Sequence, residues 1–389
     1  MTFLRLSLFV AAALVLGAVN TGAVELPCSA PPRSDERLNA MTDDGIGLTS
    51  SLGLADGRYA LPETATPTQL VVMFHGHGND SCSWRKHLQD AAGRGAVAVA
   101  MDYVDRRPGV ENYGWFMRRA AADSIEAARY FLAAYPTINR VFAMGISMGG
   151  NASGFAIASQ ATRLDGTTPL FDYWVDVEGV NNLAEEYMVA RAVAPGVSDA
   201  ALAQQEIEEE NGGPIEAVPD RYSEITNVER APDMSTLRGA VIVNGVDDGL
   251  VTTDQSPQMA DALNAVGVPT HRYTILLRGD GEPGTTVSCI PFSSAGLPCP
   301  TVFAGHGWEG SETHAVITTG FVKLWALMDG AQVEPGETVP EPSRNALLVS
   351  GCAAVFLLAR RRRTKRKEAD DRRPTRSEPK ASEGGPLRG

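Results

Sequence analysis

The chain has 389 residues, 43% hydrophobic and 21% charged, with a formal net charge of −13. Those proportions describe a globular protein and exclude a disordered one, and the length admits one large α/β unit. Residues 360–389 carry 12 Lys/Arg against 5 Asp/Glu, so the first 359 residues hold a charge of −20, an acidic body that excludes nucleic-acid binding.

In chain order, residues 1–23 read as a secretory signal. Arg5 is the positive n-region, Leu8 to Leu16 the apolar h-region, and Thr21-Gly22-Ala23 the small-residue cleavage site. Export follows as the expected localisation, with periplasm, cell surface or medium as destinations. Residues 24–60, with Pro31-Pro32, read as a loosely structured lead-in. From residue 61 to 330 the pattern is strand then helix. Predicted strands are Leu70 to Phe74, Ala96 to Met101, Val141 to Met144, Tyr173 to Val177, Ala240 to Val243 and Arg272 to Leu277. Predicted helices are Trp84 to Ala92, Ala120 to Ala134, Asn151 to Gln160 and the amphipathic Ala315 to Met328. Short apolar strands alternating with helices imply an α/β fold, a mostly parallel sheet covered on both faces. The rhythm breaks over residues 179–234, where helical spacing and the acidic run Gln204 to Glu210 suggest an inserted, lid-like helical segment. A second insertion runs from Gly279 to Val302.

Five cysteines are present, and Cys352 falls in a C-terminal apolar segment. The other four allow three pairings. Cys289 with Cys299 would close a Pro-, Gly- and Ser-rich loop, leaving Cys28 with Cys82 to tie down the N-terminus. No Cys-x-x-Cys or His-Glu-x-x-His pattern occurs, so no metal and no cofactor are expected.

Gly145-Ile146-Ser147-Met148-Gly149 lies between a strand and a small-residue helix. A Gly-x-Ser-x-Gly in that setting is a nucleophile elbow, exposing Ser147 at a helix N-terminus whose N–H groups can hold an oxyanion. A serine nucleophile needs a base, and the base an orienting acid. Asn244-Gly245-Val246-Asp247-Asp248 follows a strand on the rim where open α/β sheets build sites, which favours Asp248, with Asp247 as the alternative. Gly305-His306-Gly307 puts a histidine in an uncrowded loop; His314, at the start of the last helix, is the alternative base. The loop Phe74-His75-Gly76-His77-Gly78 closes an earlier strand. Backbone N–H groups of Met148 and His77 would form the oxyanion hole, with His75 structural.

The order of oxyanion loop, elbow, acid loop and histidine loop resembles an α/β-hydrolase, over residues 70–328. Tyr222-Ser223, Gln255-Ser256 and the helix to Ala265 look like the catalytic domain of prolyl oligopeptidase-type and dienelactone-hydrolase-type enzymes. The resemblance implies a serine hydrolase, read here as cleaving a small-molecule or polymer carboxylic ester. A secreted peptidase and a non-catalytic surface-binding protein on the same scaffold are the alternatives.

The C-terminus carries Pro340-Glu341-Pro342 in a linker over 331–345, an apolar segment over 346–359, and an Arg/Lys cluster opening a basic, disordered-type tail over 360–389. That segment is a short membrane span at ~1.5 Å per residue against ~30 Å of hydrocarbon, with the basic cluster on the cytoplasmic side. Pro-Glu-Pro, apolar helix and arginines together resemble a PEP-CTERM sorting signal. That resemblance implies an exosortase-like processing partner.

Overall fold

An uncharged run such as Leu70-Val71-Val72-Met73-Phe74 is stable as a strand only when both of its faces are covered. The computed structural model, which describes residues 43–64, 66–103, 114–196, 198–246, 248, 250–275, 306–307, 309–312 and 314–338, has that arrangement. Its strands are β1 (Asp43–Ser50), β2 (Gly53–Ala60), β3 (Gln69–Phe74), β4 (Val97–Met101), β5 (Arg140–Ile146), β6 (Tyr173–Val177), β7 (Gly239–Gly245), β8 (Thr270–Ile275) and β9 (Gly336–Thr338). They form one sheet in the order β1-β2-β4-β3-β5-β6-β7-β8-β9. β1 pairs antiparallel with β2, and β2 with β4; every other pair is parallel.

Side chains alternate across the sheet with period two. Leu70, Val72, Phe74, Val97, Val99, Met101, Val141 and Ala143 enter one core cluster. Their neighbours Val71, Met73, Ala98, Ala100, Phe142, Met144 and Ile146 enter the other. Helices α2 (Met117–Ala134), α3 (Met148–Ala158) and α8 (Gln255–Ala265) cover the first face; α1 (Arg85–Gly93) and α9 (Ala315–Met328) cover the second. The stripe of α9, Val316, Ile317, Phe321, Leu324 and Trp325, recurs at helical spacing and is buried throughout. Between β6 and β7 the chain inserts α4 (Leu183–Val193), α5 (Ser198–Asn211), α6 (Pro219–Ile225) and α7 (Asn227–Arg230).

Two sequence expectations are corrected. Residues 43–60 of the supposed lead-in are the hairpin β1–β2, whose Ile46, Leu48 and Ala55 are buried in the first core cluster. Residues 336–338 of the supposed linker are β9, paired with β8 through His271, Arg272 and Tyr273. The described residues all fall within one compact unit; residues 340–389 lie outside them. So do the signal at 1–23, the insertion Gly279 to Val302 and the segment 346–359. Among the described residues no helix is long and apolar enough to cross a membrane.

Candidate active site

Parallel strands end on one rim, and β3, β5, β6 and β7 deliver their next residues there. The register aligns Phe74 with Gly145, Ile146 with Val177, and Val177 with Val243. The loop from His75, Ser147, Glu178 and the turn holding Asp248 are therefore neighbours in space although far apart in sequence.

Ser147 has φ 58° and ψ −126°, a region that non-glycine residues rarely occupy and that marks stored strain. The flanking glycines make the turn possible. A Cβ on Gly145 would collide with the Gly149 carbonyl, and one on Gly149 with the Phe74 carbonyl. Ser147 heads α3, and its backbone is fixed on both sides: its N–H donates to Val177 O at 3.0 Å and its carbonyl accepts from Val180 N at 3.1 Å.

His306 Nδ1 lies 2.9 Å from Asp248 Oδ2, and both side chains are 2% exposed. Asp248 Oδ1 accepts from Leu250 N at 2.9 Å and Val251 N at 3.0 Å, contacts that fix the orientation of the carboxylate. His306 Nε2 is buried and has no hydrogen-bond partner among the described residues. In unliganded hydrolytic sites the nucleophile–base contact is often loose and tightens only with substrate. His314 is not bonded to either acid. Its backbone N–H donates to Ser311 Oγ at 2.9 Å, and its ring crowds Gly307, 2.7 Å from where a Cβ would stand. Burial and the His306 charge hold the His314 imidazole down to about 4. Asp247 lies outside the described residues.

Electrostatics set His306 apart. Burial opposes its charge, but the carboxylates of Asp248, Glu178 and Glu186 outweigh that and lift it to about 9. Glu178 was not among the sequence candidates. It follows β6 directly with φ 50°, its Oε2 accepts from Gly307 N at 2.6 Å, and the same oxygen lies 3.7 Å from His306 Nδ1. Burial raises it to about 8. The ligand atoms of Glu178, Asp248 and His306 lie within 4.8 Å of one another, a spacing that the shared approach to Nδ1 accounts for. Glu186, on α4, is raised to about 8 by burial and by Asp248, and accepts from Gln255 Nε2 at 3.0 Å.

On the opposite side of Ser147, the loop after β3 is pinned by acids that sequence reading also missed. Gly76 N donates to buried Glu309 Oε1 at 2.9 Å, and a Cβ on Gly76 would stand 3.4 Å from Ser147 Cβ. His77 Nε2 meets Glu206 Oε2 of α5 at 2.6 Å, while the Trp115 N–H donates to the same oxygen at 3.3 Å. His75 stacks on Tyr103 with centroids 3.8 Å apart, bonds the Gly76 and Asp102 carbonyls, and is lowered to about 4 by burial. It is structural. Of the candidate cysteines only Cys82 lies among the described residues, where it is disulfide-bonded; Cys28, Cys289 and Cys299 lie outside them.

The comparisons with known proteins agree with this geometry. The sequence model of the prolyl oligopeptidase family matches residues 117–279, the segment holding Ser147, Glu178 and Asp248. An acylaminoacyl peptidase of Pyrococcus horikoshii superposes with a TM-score of 0.50 at 14% identity, covering 79% of this chain and 44% of that one. The chain has the α/β-hydrolase fold. An acylaminoacyl peptidase bound to Z-Gly-Gly-Phe-chloromethyl ketone superposes with a TM-score of 0.51 at 14% identity, covering 77% of this chain and 43% of that one. A Pyrobaculum calidifontis esterase gives 0.46 at 18% identity, covering 60% and 75%. The chain thus spans less than half the length of the acylaminoacyl peptidases it matches. No curated protein matches it in sequence.

Proposed function

We propose that the protein is an exported serine hydrolase that cleaves carboxylic esters through Ser147, His306 and Asp248. The observation carrying this reading is the His306–Asp248 bond at 2.9 Å with His306 Nε2 unpartnered, beside a serine in a strained elbow. Asp248 holds the Nδ1–H tautomer and leaves Nε2 to take the Ser147 proton as Oγ attacks the carbonyl. The Met148 N–H and His77 N–H, neither of which donates to an acceptor among the described residues, hold the tetrahedral oxyanion. Each is worth ~10²–10³ in rate. The imidazolium then returns its proton to the leaving alkoxide, and water reverses the sequence on the acyl-enzyme.

Helix α4 closes on the acid side through Gln255 to Glu186, and α5 on the oxyanion side through Glu206 to His77. Peptide hydrolysis is the second reading, favoured by the family match over residues 117–279. The export reading rests on residues 1–23, and a PEP-CTERM-like handling of residues 340–367 on their residue order.

The test is kcat/KM of the purified protein and its Ser147→Ala variant on p-nitrophenyl esters and on matched peptide anilides. Ester turnover exceeding anilide turnover, with kcat falling on the order of 10⁶ in the variant, is the expected result. Unchanged ester turnover in Ser147→Ala would contradict the mechanism, and a preference for anilides would favour the peptidase.

A further inference from the structure

Glu178 is a buried acid that the three-residue mechanism does not use. It is fixed from three directions. Its N–H donates to Val243 O at 2.7 Å, extending the sheet ladder past the end of β6. Its Oε2 accepts from Gly307 N at 2.6 Å, which ties it to the residue after His306. Its neighbours Val177 and Val180 hold the Ser147 backbone. The residue stands at φ 50°, where glycine or asparagine would be at ease and a glutamate is strained. Gly179 follows it, and a Cβ there would collide with Asp176 Oδ1. Strain kept at this position, with a carboxylate aimed at the same ring nitrogen that Asp248 bonds, calls for a reason.

Resting on the serine-hydrolase reading, we infer that Glu178 is a second acid for His306, a positioning residue that shares Nδ1 with Asp248 and holds the productive tautomer when Asp248 cannot. Two carboxylates and one imidazole sealed from water cannot all be charged without leaving a net buried charge. Asp248 accepts from two backbone N–H donors. Glu178 has one such donor, and its Oε1 has no hydrogen-bond partner among the described residues. Glu178 therefore carries the proton while the His306–Asp248 pair is ionic. Removing the Asp248 charge frees Glu178 to ionise and accept from Nδ1–H. The other groups facing this ring are Glu186 from α4 and Glu309 and His314 from the loop leading to α9.

The test is a cycle on the full-length protein: wild type, D248N, E178Q and the double variant, with thermal melts confirming folding. In a triad with a lone acid, the amide replacement costs ~10⁴ in kcat. The expectation here is a roughly 10²-fold loss for D248N, under tenfold for E178Q, and ~10⁴ for both together. The deciding quantity is the cost of E178Q. A larger cost in the D248N background than in wild type supports a shared role, and an equal or smaller cost overturns it. Should E178Q not fold, E178D, whose carboxylate is withdrawn by one methylene, is put through the same cycle.

A second readout is independent of turnover. Nitrogen-15 NMR of the His306 ring in D248N, where Glu178 is the remaining acid at Nδ1, is expected to show its titration displaced to lower pH when E178Q is added, and an unmoved titration overturns the assignment. If wild type turns over no substrate, the hydrolase mechanism fails on that ground alone, and the ring titration still decides where Glu178 acts.

Discussion

Ser147 shows how little freedom the chemistry leaves to single residues. Its strained conformation is possible only because Gly145 and Gly149 lack side chains, and both requirements could be read from the five-residue motif. The base was legible only as a choice. A Gly-flanked loop favoured His306, but sequence could not show that His314 packs its ring against Gly307, its Nδ1 without a hydrogen-bond partner among the described residues. His306 also dictates a pH dependence. Its imidazole must be neutral to accept the Ser147 proton, and its carboxylate neighbours lift it to about 9 against burial. kcat/KM is therefore expected to climb from pH 7 to pH 9, its limb shared with Glu178 as a coupled pair. A plateau reached below pH 7, as an ordinary histidine near 6.5 would give, would contradict that placement.

At the scale of elements, the central strands were plain because their apolar runs have no other stable use. Tyr173–Val177 and the helix Ala315–Met328 fall where the sequence placed them. Hairpin β1–β2 was not legible. Asp43-Asp44-Gly45 and Ala55-Asp56-Gly57 are poor strand formers by composition, and only pairing along the edge of β4 makes them strands. β9 is a three-residue strand for the same reason, its pairing with β8 overriding a sequence that reads as linker. Glu178 escaped notice although it directly follows a buried strand. Its meaning depends on β6 lying between β5 and β7, which the register supplies and composition does not. The helical insertion was legible as helices, but its reach to both sides of Ser147 through Glu186 and Glu206 depends on tertiary packing.

Across the whole molecule the buried titratable groups predict how stability follows pH. Burial raises Asp176 to about 7 and Glu178 and Glu186 to about 8, while the acids around His306 raise it to about 9. All four bind protons more tightly folded than unfolded. Each therefore contributes stability that is complete below its unfolded pKa and is lost as pH rises through its folded one. His75 and His314, depressed to about 4, lose their contribution only as pH falls below the histidine range, so they do not counter this trend at alkaline pH. Tm measured at constant ionic strength is expected to fall steadily from pH 6.5 to pH 9. A flat or rising Tm across that window would mean that these groups are solvated or differently paired.

The most direct check of the central claim is covalent labelling by an alkyl fluorophosphonate, with the modified residue mapped by peptide mass spectrometry in wild type and in His306→Ala. A single adduct on Ser147, formed at least ~10³-fold more slowly without the imidazole, is the expected result. Failure of Ser147 to label, or labelling at the same rate in His306→Ala, would contradict the account.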